Sequence, residues 1–315
     1  MGSSLRMMRV VDSHTAGQPT RVIVEGGPDL GSSSLAERRD RLRTHFDRFR
    51  SAVVGEPRGS DALVGALLTK PSDESLATGV IFFDNAGYLD MSGAGIIGLA
   101  VTLEYLGRIG PGASRIETPV GIVTADIHPI GDISIQNVPS FRHAKDVAVT
   151  VDGSKFTGDV AWGGSWCFLV NDHREELTVG NVERLMEVAR SIRRALARDK
   201  VTGPKGEEIT DIALFGPSQR RDANSRNFVL RSGGKSYRRS PSGTATSAKL
   251  ACLYADGMLA EGQMWRQESI IGTIFDGSVK VVDGAILPII RSTAHVTAES
   301  MLIVDERDPF CWGLS

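Results

Sequence analysis

No stretch of this 315-residue chain approaches the roughly 20 consecutive apolar residues that a helix needs to cross a bilayer. The opening Met-Gly-Ser-Ser-Leu-Arg-Met-Met has no apolar core of the kind a secretory signal carries. An excess of one charge is missing as well. Lys and Arg number 36 and Asp and Glu 38, for a net charge of −2 and a pI of 6.3, so neither nucleic acid nor an anionic membrane is an expected partner. Aromatic residues make up only 6%, and they are not interleaved with basic ones as in a nucleotide-stacking surface. Cysteine is scarce: Cys167, Cys252 and Cys311 are odd in number, far apart and without metal-ligand spacing. The six histidines are scattered, with no His-x-x-x-His pair, so no zinc site is expected. A reducing cytoplasm is the simplest expected location.

What is present is a plan written twice. The 41% hydrophobic and 23% charged content is ordinary for a globular protein, and the length suffices for two lobes. Leu35, Leu42, Phe46 and Phe49 fall at helical spacing and predict a helix over 35–50. Leu185, Met186, Ala189, Ile192 and Leu196 predict a second over 182–198, with Asn181 as its cap. Each is followed by a Gly/Pro loop, at 55–59 and 203–206, and then by strand candidates: 62–68 and 80–83 in the first half, 212–215 and 227–230 in the second.

Each half then reaches a Ser-Gly turn that opens a helix rich in small residues. These turns are Ser92-Gly93-Ala94-Gly95 and Ser242-Gly243-Thr244-Ala245, and 242 − 92 = 150 residues separate them. The helices are predicted over 96–106 and 246–255. Gly98, Ala100, Ala248 and Ala251 suit helices buried against a sheet. A serine ahead of a helix can be no more than a cap. Two such helix ends, each with free amides and the positive end of a dipole, also suit a small carboxylate. The backbone amides of Gly93, Ala94, Gly243 and Thr244 are the candidate receivers.

These residues carry a family signature. Ser13-His14-Thr15-Ala16-Gly17-Gln18-Pro19-Thr20-Arg21, Gly87–Gly95, Ser225–Leu230, Ser240–Ala248, Trp265–Gly272 and Asp308-Pro309-Phe310 resemble motifs of the proline racemase and 4-hydroxyproline epimerase family, from about Met8 to the end. The resemblance implies an α/β (α+β) fold of the diaminopimelate epimerase kind, with two similar lobes, each a mixed sheet wrapped round a central helix. The lobes are expected over 1–138 with 290–315, carrying Ser92, and 139–289, carrying Ser242, with the active site in the cleft between them. It implies no cofactor. One residue removes the Cα proton and another returns a proton to the opposite face, while the substrate carboxylate rests on the two helix ends. The implied partner is a small carboxylate, and a homodimer is compatible with it.

The departures from the family pattern cluster on the chemistry. Ser92 and Ser242 fill the positions of the two proton-transferring residues, where most members have cysteine. Ala94 stands where a substrate-contacting His is usual, and Arg238 where an Asp usually meets the substrate nitrogen. Asp211 replaces a His, Ala245 a Gly and Gln18 a Glu. A thiol starts at a pKa of about 8.5, whereas a serine hydroxyl needs a neighbouring base to act. No histidine is close in sequence to either serine, although His14 could fold in. Arg238 would repel a cationic nitrogen and suits a further carboxylate or phosphate, or is simply solvated. The standard epimerase, racemase and dehydratase activities are therefore expected to be weak or absent. The rival expectation is a catalytically inactive paralogue that binds a small carboxylate. Gly93–Gly98 also matches a dinucleotide-binding glycine pattern, but a polar connection separates it from the preceding strand. Neither serine lies in the Gly-x-Ser-x-Gly elbow of a hydrolase.

Overall fold

The computed structural model describes residues 5–231 and 233–314. Its contacts divide the chain into two units, Met1–Ile135 with Thr293–Ser315, and Gln136–Ser292. Among the described residues no helix is long and apolar enough to cross a membrane.

The first unit begins with the antiparallel strands β1 (Leu5–Thr15) and β2 (Gln18–Glu25). Two short helices, α1 (Leu35–His45) and α2 (Asp47–Val54), lead to β3 (Val64–Thr69), parallel to β2. β4 (Thr78–Asp84) returns antiparallel, with the short β5 (Gly87–Leu89) on it. Helix α3 (Gly93–Tyr105) then crosses to β6 (Gly112–Thr118), parallel to β4, and β7 (Gly121–Ile127) and β8 (Asp132–Gln136) follow.

The second unit repeats this order. β9 (Phe141–Val151), β10 (Ser154–Trp162) and β11 (Trp166–Val170) are antiparallel neighbours, and α4 (Val182–Arg198) crosses to β12 (Asp211–Gly216), parallel to β11. β13 (Ser225–Arg231) pairs antiparallel with β12, and α5 (Gly243–Ala255) crosses to β14 (Trp265–Ser269), parallel to β13. β15 (Ile274–Val282) and the long β16 (Ala285–Asp305) complete the chain. Residues 285–291 of β16 pair with β15, and 294–305 pair with β1 as β9 pairs with β10. Strands β3 and β4 lie 147 residues before β12 and β13 (211 − 64 and 225 − 78), and α3 lies 150 before α5 (243 − 93).

Strand periodicity assigns the two faces of each sheet. In the second unit Ile212, Leu214, Phe228 and Leu230 face Leu185, Ala189, Ile192 and Leu196 of α4. The alternate residues Ala213, Phe215 and Val229, with Cys167 and Leu169, face Ala245, Ala248 and Cys252 of α5. In the first unit α1 and α2 cover Ile23, Leu67, Ile81 and Phe83. Helix α3 packs on β1 and β2, buried on nearly every side from Gly93 to Ala100.

Two local expectations need correction. The helix read over 35–50 is two helices. The chain leaves helical geometry at Phe46 (φ −132°, ψ 19°), and α2 restarts with Arg50 holding Asp47 through two bonds of 2.8 Å. Helix α2 then buries Phe49, Ala52, Val53 and Val54 in the core of this unit. Asn181 stands at the N-cap position of α4, but its side chain makes no capping bond. It ends a 3₁₀ turn, Val179–Asn181, and its side chain donates to the Glu176 carbonyl instead.

The tight seat of α3 generates a prediction. A Cβ on Gly98 would stand 2.9 Å from Ser13 Oγ and 3.1 Å from Thr20, whereas one on Gly110 meets nothing within 4 Å. Gly98→Ala should lower stability by about 1–3 kcal/mol in urea unfolding, as overpacking does. Gly110→Ala should stay within about 0.5 kcal/mol. Equal effects of the two changes would show that α3 is not packed this closely.

Candidate active site

The two Ser-Gly turns are built alike. Ser92 is the N-cap of α3, and its Oγ accepts the Gly95 N–H at 3.1 Å. The helix's first backbone bond runs from Ile96 N–H to Ser92 O at 2.8 Å. Ser242 caps α5 in the same way, with Oγ accepting the Ala245 N–H at 3.4 Å and Thr246 N–H reaching Ser242 O at 2.9 Å. In each helix the first two amides, of Gly93 and Ala94 and of Gly243 and Thr244, precede both of these bonds. They are the donors a helix leaves over for an anion.

The turns are held differently. Ser92 is half-buried and has an ordinary extended backbone (φ −141°). Ser242 is buried and sits at φ 62°, a region costly for a residue with a side chain. Bonds around it hold this conformation: Asn227 Nδ2 and Thr246 Oγ1 both donate to the Pro241 carbonyl, at 2.7 and 3.1 Å. The Ser242 hydroxyl also lies 3.2 Å from that of Thr244.

Strand hydroxyls seat α3 from below. Thr15 Oγ1 donates to Ala94 O at 2.8 Å and Ser13 Oγ to Gly98 O at 3.3 Å. Ala16 and Gly17 make the turn between β1 and β2 with positive φ at both positions, as a two-residue hairpin of this twist requires. Because Ser13 and Thr15 point at the helix, His14 between them points to the other face of the sheet. Its ring centroid lies 5.5 Å from that of His295, and its Nδ1 accepts the Gly17 N–H at 3.4 Å.

The second unit adds Asn137, Gly163 and Ser165, which the sequence did not single out, beside the expected Asp211. The turn between β10 and β11 closes on the start of α5: a Cβ on Gly163 would stand 2.1 Å from Thr244 O. Asn137 Nδ2 ties Gly163 O (2.9 Å) to Ser247 Oγ (2.8 Å). Asp211 opens β12 on the same sheet face as Ala213, the face toward α5, and accepts from Ser165 Oγ at 2.6 Å. The Gly163-Gly164 pair between two apolar strands was the available signal for this turn. Arg238 lies between β13 and α5, half-buried, with its backbone N–H on Val229 O at 2.9 Å. The structure thus groups Ser92, Gly93 and Ala94 at one helix end, and Ser242, Gly243 and Thr244 at the other.

The sequence profile of proline racemase matches residues 10–315. The chain belongs to the proline racemase family. It is 50% identical over 311 residues to a 4-hydroxyproline 2-epimerase of Burkholderia cenocepacia, covering 98% of this chain and 99% of that one. It is 52% identical over 312 residues to a 4-hydroxyproline epimerase of Burkholderia pseudomallei, covering 99% and 100%. Its structure matches a crystal structure of a hydroxyproline epimerase from Agrobacterium vitis with bound trans-4-hydroxy-L-proline. That match has a TM-score of 0.88 and 25% identity, and covers 98% of this chain and 95% of the other.

The motifs of this proline racemase family member have structural work to do around the serines. Arg21 grips Asp12 with two bonds of 2.7 and 2.8 Å and reaches Val53 O and Arg58 O. Gln18 Nε2 donates to Ala62 O at 2.6 Å. Gln267 Nε2 donates to Ser225 O at 2.9 Å, joining β14 to the strand that carries Asn227. Arg226, buried, donates to the carbonyls of Ser269 and Ile270.

The chain's three cysteines, Cys167, Cys252 and Cys311, lie outside the two Ser-Gly turns. All three are buried and unpaired. Burial, followed by the Asp211 carboxylate, pushes Cys167 far above the ordinary thiol range. Burial, then Asp159, pushes Cys252 up to about 12. Both therefore stay protonated through neutral and mildly alkaline pH, and the thiolate is the reactive form. The folded protein should resist iodoacetamide at pH 8, while all three cysteines label in denaturant, as read by intact mass. Fast modification of Cys167 or Cys252 in the folded state would reopen a role for a thiol.

Proposed function

We propose that this protein performs cofactor-independent Cα proton transfer on a small amino or imino acid, through Ser92 and Ser242, with epimerisation of 4-hydroxyproline, racemisation of proline and dehydration of trans-3-hydroxyproline weak or absent. One observation carries the reading. Among the described residues each serine hydroxyl is bonded to the third amide of its own helix, and Ser242 also to Thr244, while neither is bonded to an imidazole or a carboxylate. General acid–base assistance is worth roughly 10²–10⁴-fold in rate, and it requires a group whose pKa lies near the working pH. A helix end favours an anion, but a hydroxyl begins much further from ionisation than a thiol.

The substrate class follows from the amides. Gly93 and Ala94, and Gly243 and Thr244, offer a carboxylate paired N–H donors at a dipole's positive end. Ala94 supplies no ring to meet the substrate, and Arg238 replaces a carboxylate at the position expected to meet its nitrogen. Both changes disfavour a proline-like cation and leave room for an acid with an additional negative group. A second reading is a carboxylate-binding protein without turnover, because the preserved helix ends support binding whether or not chemistry follows.

Exchange of the Cα proton for deuterium in heavy water, followed by NMR over a panel of amino, imino and hydroxy acids, tests the reading. Slow exchange on at least one acid, and little on trans-4-hydroxy-L-proline, is expected. Turnover of 4-hydroxyproline at a robust rate that Ser92→Ala or Ser242→Ala abolishes would refute it. No exchange with any acid that binds would favour the binding protein.

Restoring the chemistry should take more than thiols. Ser92→Cys with Ser242→Cys should recover little hydroxyproline epimerisation, because Ala94 and Arg238 still misfit the substrate. Adding Ala94→His and Arg238→Asp should recover more than the sum of the two pairs, a coupling that kcat/KM for all four combinations measures. Full recovery from the two cysteines alone would sink the argument from Ala94 and Arg238.

A further inference from the structure

The segment that joins β11 to α4 is pinned at both ends. The two carboxylate oxygens of Asp172 accept the Thr157 N–H of β10 at 3.1 and 3.0 Å, and Leu177 is buried in the core beneath α4. Between these points His173 to Leu177 form one wall of a cavity of about 410 Å³. Phe215 to Gln219, with Arg226 of β13, form the other. His173 joins the two walls from a buried position. Its Nε2 lies 3.0 Å from the Phe215 carbonyl oxygen, and its Nδ1 accepts the Glu175 N–H at 3.0 Å.

These two bonds fix the tautomer. A carbonyl only accepts, so Nε2 carries the proton. An amide N–H only donates, so Nδ1 carries none. Protonating the ring would set a second N–H against that of Glu175, and this bond is then lost. The residue enclosed by it, Arg174, stands at φ 58°, a conformation that persists only where its surroundings hold it. The His173–Glu175 bond closes the turn around Arg174 as an Asx-type side chain does. Its loss therefore frees a strained position.

Burial is the largest influence on the ring and lowers its pKa below the ordinary 6.5, against the Phe215 carbonyl and the carboxylates of Glu175 and Asp172, which favour the charged form. The elements around it add further charges. Arg226 lines the cavity beside Arg174 and Glu176, and Arg184 of α4 holds Glu175 at 3.1 Å. Lys249 of α5 donates to Asn171 Oδ1 at 3.2 Å, and Glu268 of β14 accepts from Ser218 Oγ and the Gln219 N–H on the opposite wall. A depressed pKa in the folded state means stability that is fully present above pH 6.5 and is lost as pH falls through the folded value.

We propose that His173 is an acid-released latch: neutral, it fastens residues 173–176 to the end of β12, and protonated, it lets that wall of the cavity go. The latch is independent of the chemistry at Ser92 and Ser242.

Long-range ¹H–¹⁵N NMR of the full chain from pH 7.5 to 5.0, with amide exchange corrected for its intrinsic pH dependence, tests this. His173 should be the Nε2–H tautomer and titrate with a midpoint below 6.5. Across that titration the Glu175 amide should lose about tenfold or more of its protection, while the amides of β12 and β13 keep theirs. His173→Asn retains a carbonyl oxygen to accept the Glu175 N–H but has nothing to titrate, so the loss should disappear. An Nδ1–H tautomer, or Glu175 protection that persists while the ring is protonated, overturns the proposal. So does a pH-dependent loss that survives in the Asn variant, which would belong to the neighbouring carboxylates. Should that variant fail to fold, the tautomer and the Glu175 amide of the unaltered chain decide alone.

Discussion

Each half of this protein depends on one constraint: a helix buried on almost all sides must lie against its own sheet, with its first two amides left outside the helix's own hydrogen bonds. Burial excludes the amphipathic stripe that usually orients a helix, so the fit is made by size and by hydrogen bonds. Gly95 and Gly98 let α3 approach Phe82, Ser13 and Thr20, and the hydroxyls of Ser13 and Thr15 bond its carbonyls. In the other unit, Gly163 and Asn137 bring a turn of the sheet against the first turns of α5. The outer helices, α1 with α2 and α4, pack by ordinary apolar stripes on the opposite faces. They lock the sheets that hold the inner helices in place.

The duplication is close in backbone and looser in detail. Ser92 caps its helix from a relaxed extended conformation, whereas Ser242 is held at positive φ by bonds to the carbonyl just before it. Strain of this kind persists where the surroundings over-determine it, and it commonly accompanies function. The frame for an anion is present at both helix ends. Among the described residues no imidazole or carboxylate is bonded to either serine, and His14 in the opening motif turns to the other side of its sheet.

The sequence by itself determined the family, the repeated order of elements, and the two serine-capped helix starts. Those features are written in local patterns: Gly-rich turns, period-two strands and the 150-residue spacing of Ser92 and Ser242. It also located Gly93, Ala94, Gly243 and Thr244, because position within a helix's first turn is a local property. Tertiary structure alone decided the rest. Phe46 reads as one more apolar residue in a helical stripe, yet the chain leaves helical geometry there and α2 starts anew. Asn181 is a good cap by composition, but its side chain is taken by Glu176. Ser165 and Asn137 lie 46 and 110 residues from their partners Asp211 and Ser247, so no window along the chain could join them. The direction of His14 was fixed by strand alternation once Ser13 and Thr15 had found the helix, a choice made by packing across the sheet rather than by neighbours in sequence.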